Sequence, residues 1–181
     1  MIETAPSQIS IRLLTGQEAH NSRGELTDVL MDCVEGGASI GFMWPFTRDR
    51  AEAFWSKIAE AVERGHRALL VARDHQADKV IGTVQVVLGE FLENQPHRGE
   101  IAKMIVHRRA RKRGIGQRLM LAAEETARAA GKTLLVLDTA SEDAERLYER
   151  LGWIKVGVIP GFALWPDGRP CATTYYYKEI A

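Results

Sequence analysis

The segment from residue 100 to residue 130 constrains the fold more than any other part of the chain. It begins with the β-rich run EIAKMIVH (100–107), passes through a stretch where five of six residues (108–113) are basic, and ends in an amphipathic helix pattern. Gly114 and Gly116 stand at the junction. At a helix start the backbone N–H groups are unpaired and carry the positive end of the helix dipole. The sequence therefore predicts a strand, an anion-binding turn and a helix in succession.

Strand and helix patterns alternate along the rest of the chain. The predicted elements are, in order, a strand over 8–14, helices over 17–35 and 47–65, strands over 68–74, 79–89 and 100–107, a helix over 114–130, a strand over 134–139, a helix over 141–152, and strands over 153–159 and 173–180 separated by a loop over 160–170. This order predicts an α/β (mixed α+β) fold, in which helices cover a mixed sheet. We expect one domain over 1–181.

Composition excludes several classes of protein. The 181 residues carry 24 Lys plus Arg against 24 Asp plus Glu and are 45% hydrophobic, which suits a globular domain rather than a disordered chain or an overall basic nucleic-acid binder. The first ten residues lack a basic region followed by an apolar run, and no apolar run is long enough to span a bilayer, so we expect a cytoplasmic protein. Two distant cysteines, Cys33 and Cys171, fit neither a disulfide framework nor a metal site.

Two other patterns allow more than one interpretation. The run AxxLYxxLGW (144–153) has apolar residues at helical spacing, which is typical of core packing, yet the phenol of Tyr148 also suits a proton donor. Gly37, Ser39 and Gly41 match the GxSxG of serine hydrolases. That motif requires a strand before the serine and a helix after it, whereas here a helix pattern precedes it and a loop follows. The basic stretch itself is compatible with nucleic-acid binding or with a solvated surface.

In combination these motifs resemble the acetyl-CoA-binding core of the GNAT superfamily of N-acetyltransferases. The resemblance covers 79–160 and rests on EIAKMIVH, the RxxGxG turn from Arg111 to Gly116, its helix, the strand LLVLD and AxxLYxxLGW. Outside the core, GGASIGFM (36–43) and PGFALWPDGRPCATTYYYK (160–178) are similar to acetyltransferases that confer tabtoxin resistance. The resemblance implies the GNAT fold, a central twisted mixed sheet flanked by helices, with acetyl-CoA as co-substrate and no metal.

The resemblance also implies which residues bind the cofactor: backbone groups of a strand for the pantetheine arm, turn amides for the pyrophosphate, and side chains near the thiol. These are Met104, Ile105, Val106, Arg111, Lys112, Arg113, Gly114, Ile115, Gly116, Gln117, Ser141 and Tyr148. Many family members have Asn where this chain has Ser141, so the side-chain contact there differs from the usual one.

Acetyl transfer to an amine needs a base, because an alkylammonium with a pKa near 10 is almost wholly protonated at pH 7. The resemblance favours two carboxylates, Glu100 at the start of one strand and Asp138 at the carboxyl end of the next, although either also suits a solvated position. Tyr148 is expected to protonate the departing thiolate. A backbone N–H near Val106 is expected to stabilise the oxyanion.

The Gly-rich segment between the first two helices is expected to shape the acceptor site, with Ser39, Phe42 and Trp44 as substrate-binding candidates or simply as parts of a packed loop. The expected activity is transfer of an acetyl group to a primary amine of a small molecule, a toxin or antibiotic, without nucleic-acid or membrane partners. A homodimer is a further expectation. Alternatives are acetylation of a protein lysine or N-terminus, and a non-catalytic acetyl-CoA-binding module.

Overall fold

A computed structural model describes residues 8–89 and 92–181. The first seven residues, and residues 90 and 91 of the segment that joins two predicted strands, lie outside the described part. The strands are β1 (Ile9–Leu14), β2 (Arg67–Asp74), β3 (Lys79–Val87), β4 (Arg98–Val106), β5 (Leu134–Thr139), β6 (Ile154–Leu164) and β7 (Pro170–Glu179). The helices are α1 (Gly16–Asn21), α2 (Arg23–Glu35), α3 (Arg48–Glu63), α4 (Ile115–Ala129) and α5 (Glu142–Arg150), with a short 3₁₀ turn at Arg108–Ala110.

The strands form one seven-stranded mixed sheet in the order β1-β2-β3-β4-β5-β7-β6. β4 and β5 are parallel and are connected through α4, whereas the neighbouring pairs β3–β4 and β5–β7 are antiparallel. The predicted mixed sheet with flanking helices is therefore confirmed. The longest helix of the described residues spans 16 positions, and no helix among them is long and apolar enough to cross a membrane.

Each face of the sheet is covered by its own helices and its own apolar core. On one face, α4 and α5 bury residues such as Ile101, Leu119 and Leu137. On the other face, α1 to α3 bury residues such as Leu30, Trp55 and Leu69. Cys33, which lies on the apolar stripe of α2, belongs to this second core and is 1% exposed. β4 and β5 lie in the middle of the sheet between these two helical layers, and they position the candidate site.

The structure corrects three sequence-based expectations. The predicted helix over 17–35 is two helices with a bend at Ser22, where Asn21, Ser22 and Gly24 are weak helix formers. The predicted loop over 160–170 is mostly strand, because β6 continues through a register shift to Leu164. Glu124, whose i, i+4 spacing with Arg128 predicts an ion pair on the outer face of its helix, is buried. The amphipathic pattern misplaced Glu124 because its ion-pair partner comes from the last strand.

Candidate active site

A gap between β4 and β5 organises the candidate site. The two parallel strands pair only from Arg98 to Glu100 on one side and from Leu134 to Val136 on the other, and both continue beyond that point. A bulge bends β4 away: its register with β3 passes from Ala102–Gln85 to Ile105–Thr83, so two residues of β4 lie opposite one of β3. The amide of His107 donates to Ile81 of β3 (2.9 Å), so by alternation the Val106 N–H faces the gap.

The predicted anion-binding turn lies directly after β4. Lys112 (φ 61°) and Gly114 (φ 72°) both adopt left-handed backbone, which turns successive amides toward one point in front of α4. The amides of Ile115, Gly116 and Gln117 occupy the first turn of α4, where no intrahelical acceptor exists. A Cβ on Gly116 would approach Leu147 Cδ2 to 3.1 Å, so α4 and α5 come close to each other at this glycine. This turn can hold a phosphorylated ligand.

The basic side chains of the turn divide into bound and unbound groups. Arg113 pairs with Asp74 (3.1 Å) and the Arg111 Nε donates to the Val106 carbonyl (3.2 Å), so both fix the turn to neighbouring strands. Lys112 is exposed at the tip and has no ion pair among the described residues. Two residues of the stretch that resembled a basic surface patch, Arg111 and Arg113, therefore have a structural role.

Asp32 of α2 anchors the entry to this turn. Its carboxylate accepts from the Arg108 amide (2.7 Å) and from the Arg108 Nε (3.0 Å), and lies 3.4 Å from His107 Nδ1. Burial raises the pKa of Asp32, but the Arg108 hydrogen bonds outweigh it, and the net pKa lies below its usual value. The first helical layer thus fixes the end of β4 and the turn that follows.

We expect Asp32→Asn to lower the free energy of unfolding by about 2 kcal/mol at neutral pH, because it weakens hydrogen bonds to a charged group. A depressed carboxyl pKa stabilises the fold fully above the unfolded pKa of about 3.9 and loses that effect as pH falls through the folded pKa. The difference from the parent should therefore be constant from about pH 5 to 8 and shrink below about pH 4. Urea unfolding across this range tests it, with exposed Asp28→Asn as the control; an equal loss at both positions would contradict a specific role.

Tyr148 lies where the gap meets α5. It is 4% exposed, and its ring packs against Trp153 and Tyr176 at centroid distances of 6.0 and 5.9 Å. Burial, and to a smaller degree the charge of Asp138, raises the pKa of the phenol well above its usual value of 10. Tyr148 therefore stays protonated and near a carboxylate from β5. Ser141 caps the same helix, since its Oγ accepts from the Ala144 amide (3.4 Å), which leaves its hydroxyl proton free to donate.

Glu100 and Asp138 lie on the same face of the sheet, opposite the α4 layer. Glu100 pairs with Val136 in the β4–β5 ladder, and Asp138 is two residues further along β5, so alternation gives both the same side. Both carboxylates act on the same phenol: burial raises the pKa of Tyr175 most, and the charges of Asp138 and then Glu100 raise it further. Asp138 also accepts a hydrogen bond from buried Thr173 (2.6 Å). The structure thus brings the two predicted carboxylates to one face of the sheet, and the charge of Asp138 also acts on Tyr148, which belongs to the core on the other face.

Sequence reasoning missed Lys103, which lies in the bulge of β4 with φ 50°. Burial first, then the charge of Arg67, lowers the pKa of its ammonium, while Asp138 and Glu100 act in the opposite direction. These effects place the amine in the same cluster as the two carboxylates. The signal in the sequence was a lysine inside an otherwise apolar central strand, since charged residues are rarely buried without a reason.

The segment of residues 36–46 closes one side of this cluster by docking on the β6–β7 hairpin. Ser39 Oγ donates to the Leu164 carbonyl (2.9 Å), and the Trp44 amide donates to Pro166 (3.0 Å). Phe42 packs between Phe46 and Phe54, at centroid distances of 4.5 and 5.2 Å. All three substrate-binding candidates therefore have packing contacts of their own. Ser39 also lacks the preceding strand of a nucleophile elbow, because it follows the end of α2.

Comparison with known families identifies the architecture. The model of the Acetyltransferase (GNAT) family matches residues 26–153. The chain belongs to the GNAT acetyltransferase family. Members of this family are acetyl-CoA-dependent N-acetyltransferases, which agrees with the phosphate-type turn and the strand gap described above.

Individual relatives of this GNAT chain are distant. An uncharacterized N-acetyltransferase from the hisH-hisA intergenic region of Azospirillum brasilense is 34% identical over 116 residues, covering 63% of this chain and 66% of that protein. An N-acetyltransferase structure from Staphylococcus aureus Mu50 superposes with a TM-score of 0.79 at 18% identity, covering 97% of this chain and 100% of that one. Salmonella typhimurium yncA, whose structure includes its cofactor acetyl-CoA, gives 0.77 at 20% identity, covering 97% and 95%. At these identities the two structures establish the fold alone.

Proposed function

We propose that this chain transfers the acetyl group of acetyl-CoA to a primary amine of a small molecule by direct attack within a ternary complex. The observation that carries the proposal is the gap between β4 and β5, which has an anion-binding turn at one end and two carboxylates with a buried tyrosine beside it. A phosphorylated carrier with a long neutral arm and a reactive thioester fits that arrangement. The whole described chain contributes, so we infer a single catalytic domain.

Acetyl-CoA is proposed to bind along the open edge of β4. Backbone groups of Met104, Ile105 and Val106 would hold the pantetheine arm in the manner of an added strand. Amides of the turn would hold the pyrophosphate, with exposed Lys112 as the nearest charge-assisted donor. Ser141 would donate its hydroxyl proton to the arm. The residues proposed for the pyrophosphate are Arg111, Lys112, Arg113, Gly114, Ile115, Gly116 and Gln117.

The chemistry requires the ammonium nitrogen to lose two protons and the sulfur to gain one: a carboxylate would take the first before the attack, and the second, released as the amide forms, would restore the proton that Tyr148 gives to the sulfur. Glu100 or Asp138, directly or through water, would take the proton of the acceptor ammonium, and the freed amine would attack the thioester carbonyl. The Val106 N–H, which faces the gap, would stabilise the oxyanion. When the intermediate collapses, the C–S bond breaks, and Tyr148 would protonate the thiolate. No covalent enzyme intermediate is needed.

The acceptor is proposed to be small because the site is closed on one side. Residues 36–46 are tied to the β6–β7 hairpin by the Ser39 and Trp44 hydrogen bonds, whereas acetylation of a protein lysine or N-terminus favours an open groove. A thiol-release assay with acetyl-CoA tests the proposal across amino acids, polyamines, aminoglycosides and β-lactam amino acids such as the tabtoxin warhead. Binding of acetyl-CoA without thiol release for any acceptor would favour a non-catalytic module.

Exchange of each carboxylate for its amide identifies the base. At pH 7 the variant that lacks the base should lose about 100-fold in kcat/KM, because general bases typically contribute that much. Its rate should recover as pH approaches 10, where the acceptor amine loses its proton without help.

The two substitutions Glu100→Gln and Asp138→Asn are matched, and Thr173→Val, which removes only the hydrogen bond to Asp138, is the control. Parent-like pH–rate profiles in both carboxylate variants would exclude a side-chain base.

A further inference from the structure

The Lys103 side chain is a half-buried cation that has no bonded partner among the described residues. Among the described residues, no acceptor lies within hydrogen-bond or ion-pair distance of its Nζ. The two carboxylates of the site influence it, but only from beyond the distance of a salt bridge. Even partial burial of a charge without a partner carries a cost, which a bound anion would offset.

The backbone of Lys103 is also unfavourable for a lysine. Its φ of 50° lies in the left-handed region, which glycine adopts freely and L side chains rarely adopt. Strained residues of this kind cluster at functional sites, where the conformation aims a side chain that a regular strand would send elsewhere. Here the bulge directs the amine toward residues 36–46: a Cβ placed on Gly41 would lie 3.5 Å from Nζ. The amine therefore lies under the segment that closes the acceptor side.

The charged groups around the proposed acceptor site are of both signs. Glu100 and Asp138 supply two negative groups, suited to an amine, while Lys103 and Arg67 supply positive ones. Arg67 already donates to the buried Gln85 Oε1 (2.8 Å), whereas the Lys103 ammonium has no such acceptor among the described groups. A purely cationic acceptor would be repelled by Lys103, and a neutral amine would leave it unpaired. An acceptor with an anion at the right distance from its amine would satisfy both halves.

We propose that Lys103 binds an anionic group of the acceptor, so that the substrate is an amine that also carries a carboxylate or a chemically similar anion. This inference rests on the proposed acetyltransferase activity and makes it more specific. Lys103 is a specificity-determining residue in this scheme. It pairs with the substrate anion, turns the amine toward the two carboxylates, and takes no part in the proton transfers.

The test compares each proteinogenic amino acid with its C-terminal amide in the thiol-release assay. For the parent protein we expect kcat/KM for the best free acid to exceed that of its amide by at least about 30-fold, as for loss of one partner of a buried charge pair. Lys103→Met should reduce this ratio to about threefold or less, mainly through KM for the acid, with KM for acetyl-CoA unchanged. Lys103→Arg should keep a preference of about tenfold or more.

A binding measurement is independent of turnover. With CoA present, the N-acetyl derivative of the best amino acid should raise the melting temperature of the parent and of Lys103→Arg, but not that of Lys103→Met. The melting temperature of Lys103→Met without ligand should equal or exceed that of the parent, because the substitution removes a half-buried, unpaired charge.

Two results would overturn the inference and leave the proposed function intact: equal rates for acids and amides in the parent, or acetylation of Lys103 itself on incubation with acetyl-CoA. Failure of every amine to release thiol would instead overturn the proposed function.

Discussion

Tyr148→Phe should lower turnover by about 100-fold or more, while acetyl-CoA binding and the melting temperature stay close to those of the parent protein. The hydroxyl is the only group removed, and general acids typically contribute a factor of this size. Phenylalanine fills the same space between Trp153 and Tyr176, so packing is retained. Because burial keeps the phenol protonated throughout the accessible pH range, the loss should be independent of pH below about 9.

A neighbouring tyrosine provides the matched control. Tyr176 is buried in the same cluster, but its hydroxyl lies 3.1 Å from carboxylate oxygens of both Glu145 and Glu149 and shares its one proton between them. Tyr176→Phe should therefore cost about 1 to 3 kcal/mol of stability, as for hydrogen bonds to charged groups, and leave kcat nearly unchanged. Steady-state kinetics and thermal melting on both variants separate the two roles. Parent-like turnover in Tyr148→Phe would remove Tyr148 from the acid role.

Glu124→Ala should destabilise the fold by about 3 to 5 kcal/mol, because it leaves the half-buried Lys178 ammonium with only the Leu151 carbonyl as acceptor and the buried Trp153 N–H with none. The Glu124 carboxylate accepts from Lys178 Nζ (2.7 Å) and from Trp153 Nε1 (2.9 Å), and its side chain is only 3% exposed. This pair joins α4 to β7 and to the start of β6, behind the gap that holds the proposed site. A loss of this size is a large fraction of the free energy of unfolding of a typical domain, which is about 5 to 15 kcal/mol.

Glu125→Ala controls for charge and helix propensity at the next position. Glu125 is 77% exposed and pairs with the same Arg128 that approaches Glu124, so its loss should cost less than about 1 kcal/mol. Replacing both Glu124 and Lys178 by Met should recover most of the stability, since the pair is then removed as a unit. Urea unfolding measures all three. Similar losses for Glu124→Ala and Glu125→Ala would show that the buried pair contributes little.

Local sequence signals predicted the elements well wherever one helix cap or one apolar pattern decides the structure. Thr47 and Ser141 accept hydrogen bonds at the helix starts where they were expected, because capping depends on residues three positions apart. The glycine turn before α4 was likewise predicted, since glycine adopts left-handed backbone, as Gly114 does here, more readily than any residue with a Cβ. The bend at Ser22 and the extension of β6 to Leu164 depend on packing against distant elements, which no local pattern encodes.

By itself the sequence determined the strand, turn and helix that we propose as the site of a phosphorylated cofactor, because these residues are contiguous and their chemistry is local. The resemblance of the sequence to the GNAT family also indicated Tyr148, Glu100 and Asp138 as catalytic candidates. Only the tertiary structure decided that β4 and β5 diverge after Glu100 and that both carboxylates share a face with Lys103. The reason is physical: strand divergence and side-chain direction depend on a bulge in β4 and on register with two neighbouring strands, which long-range hydrogen bonding sets.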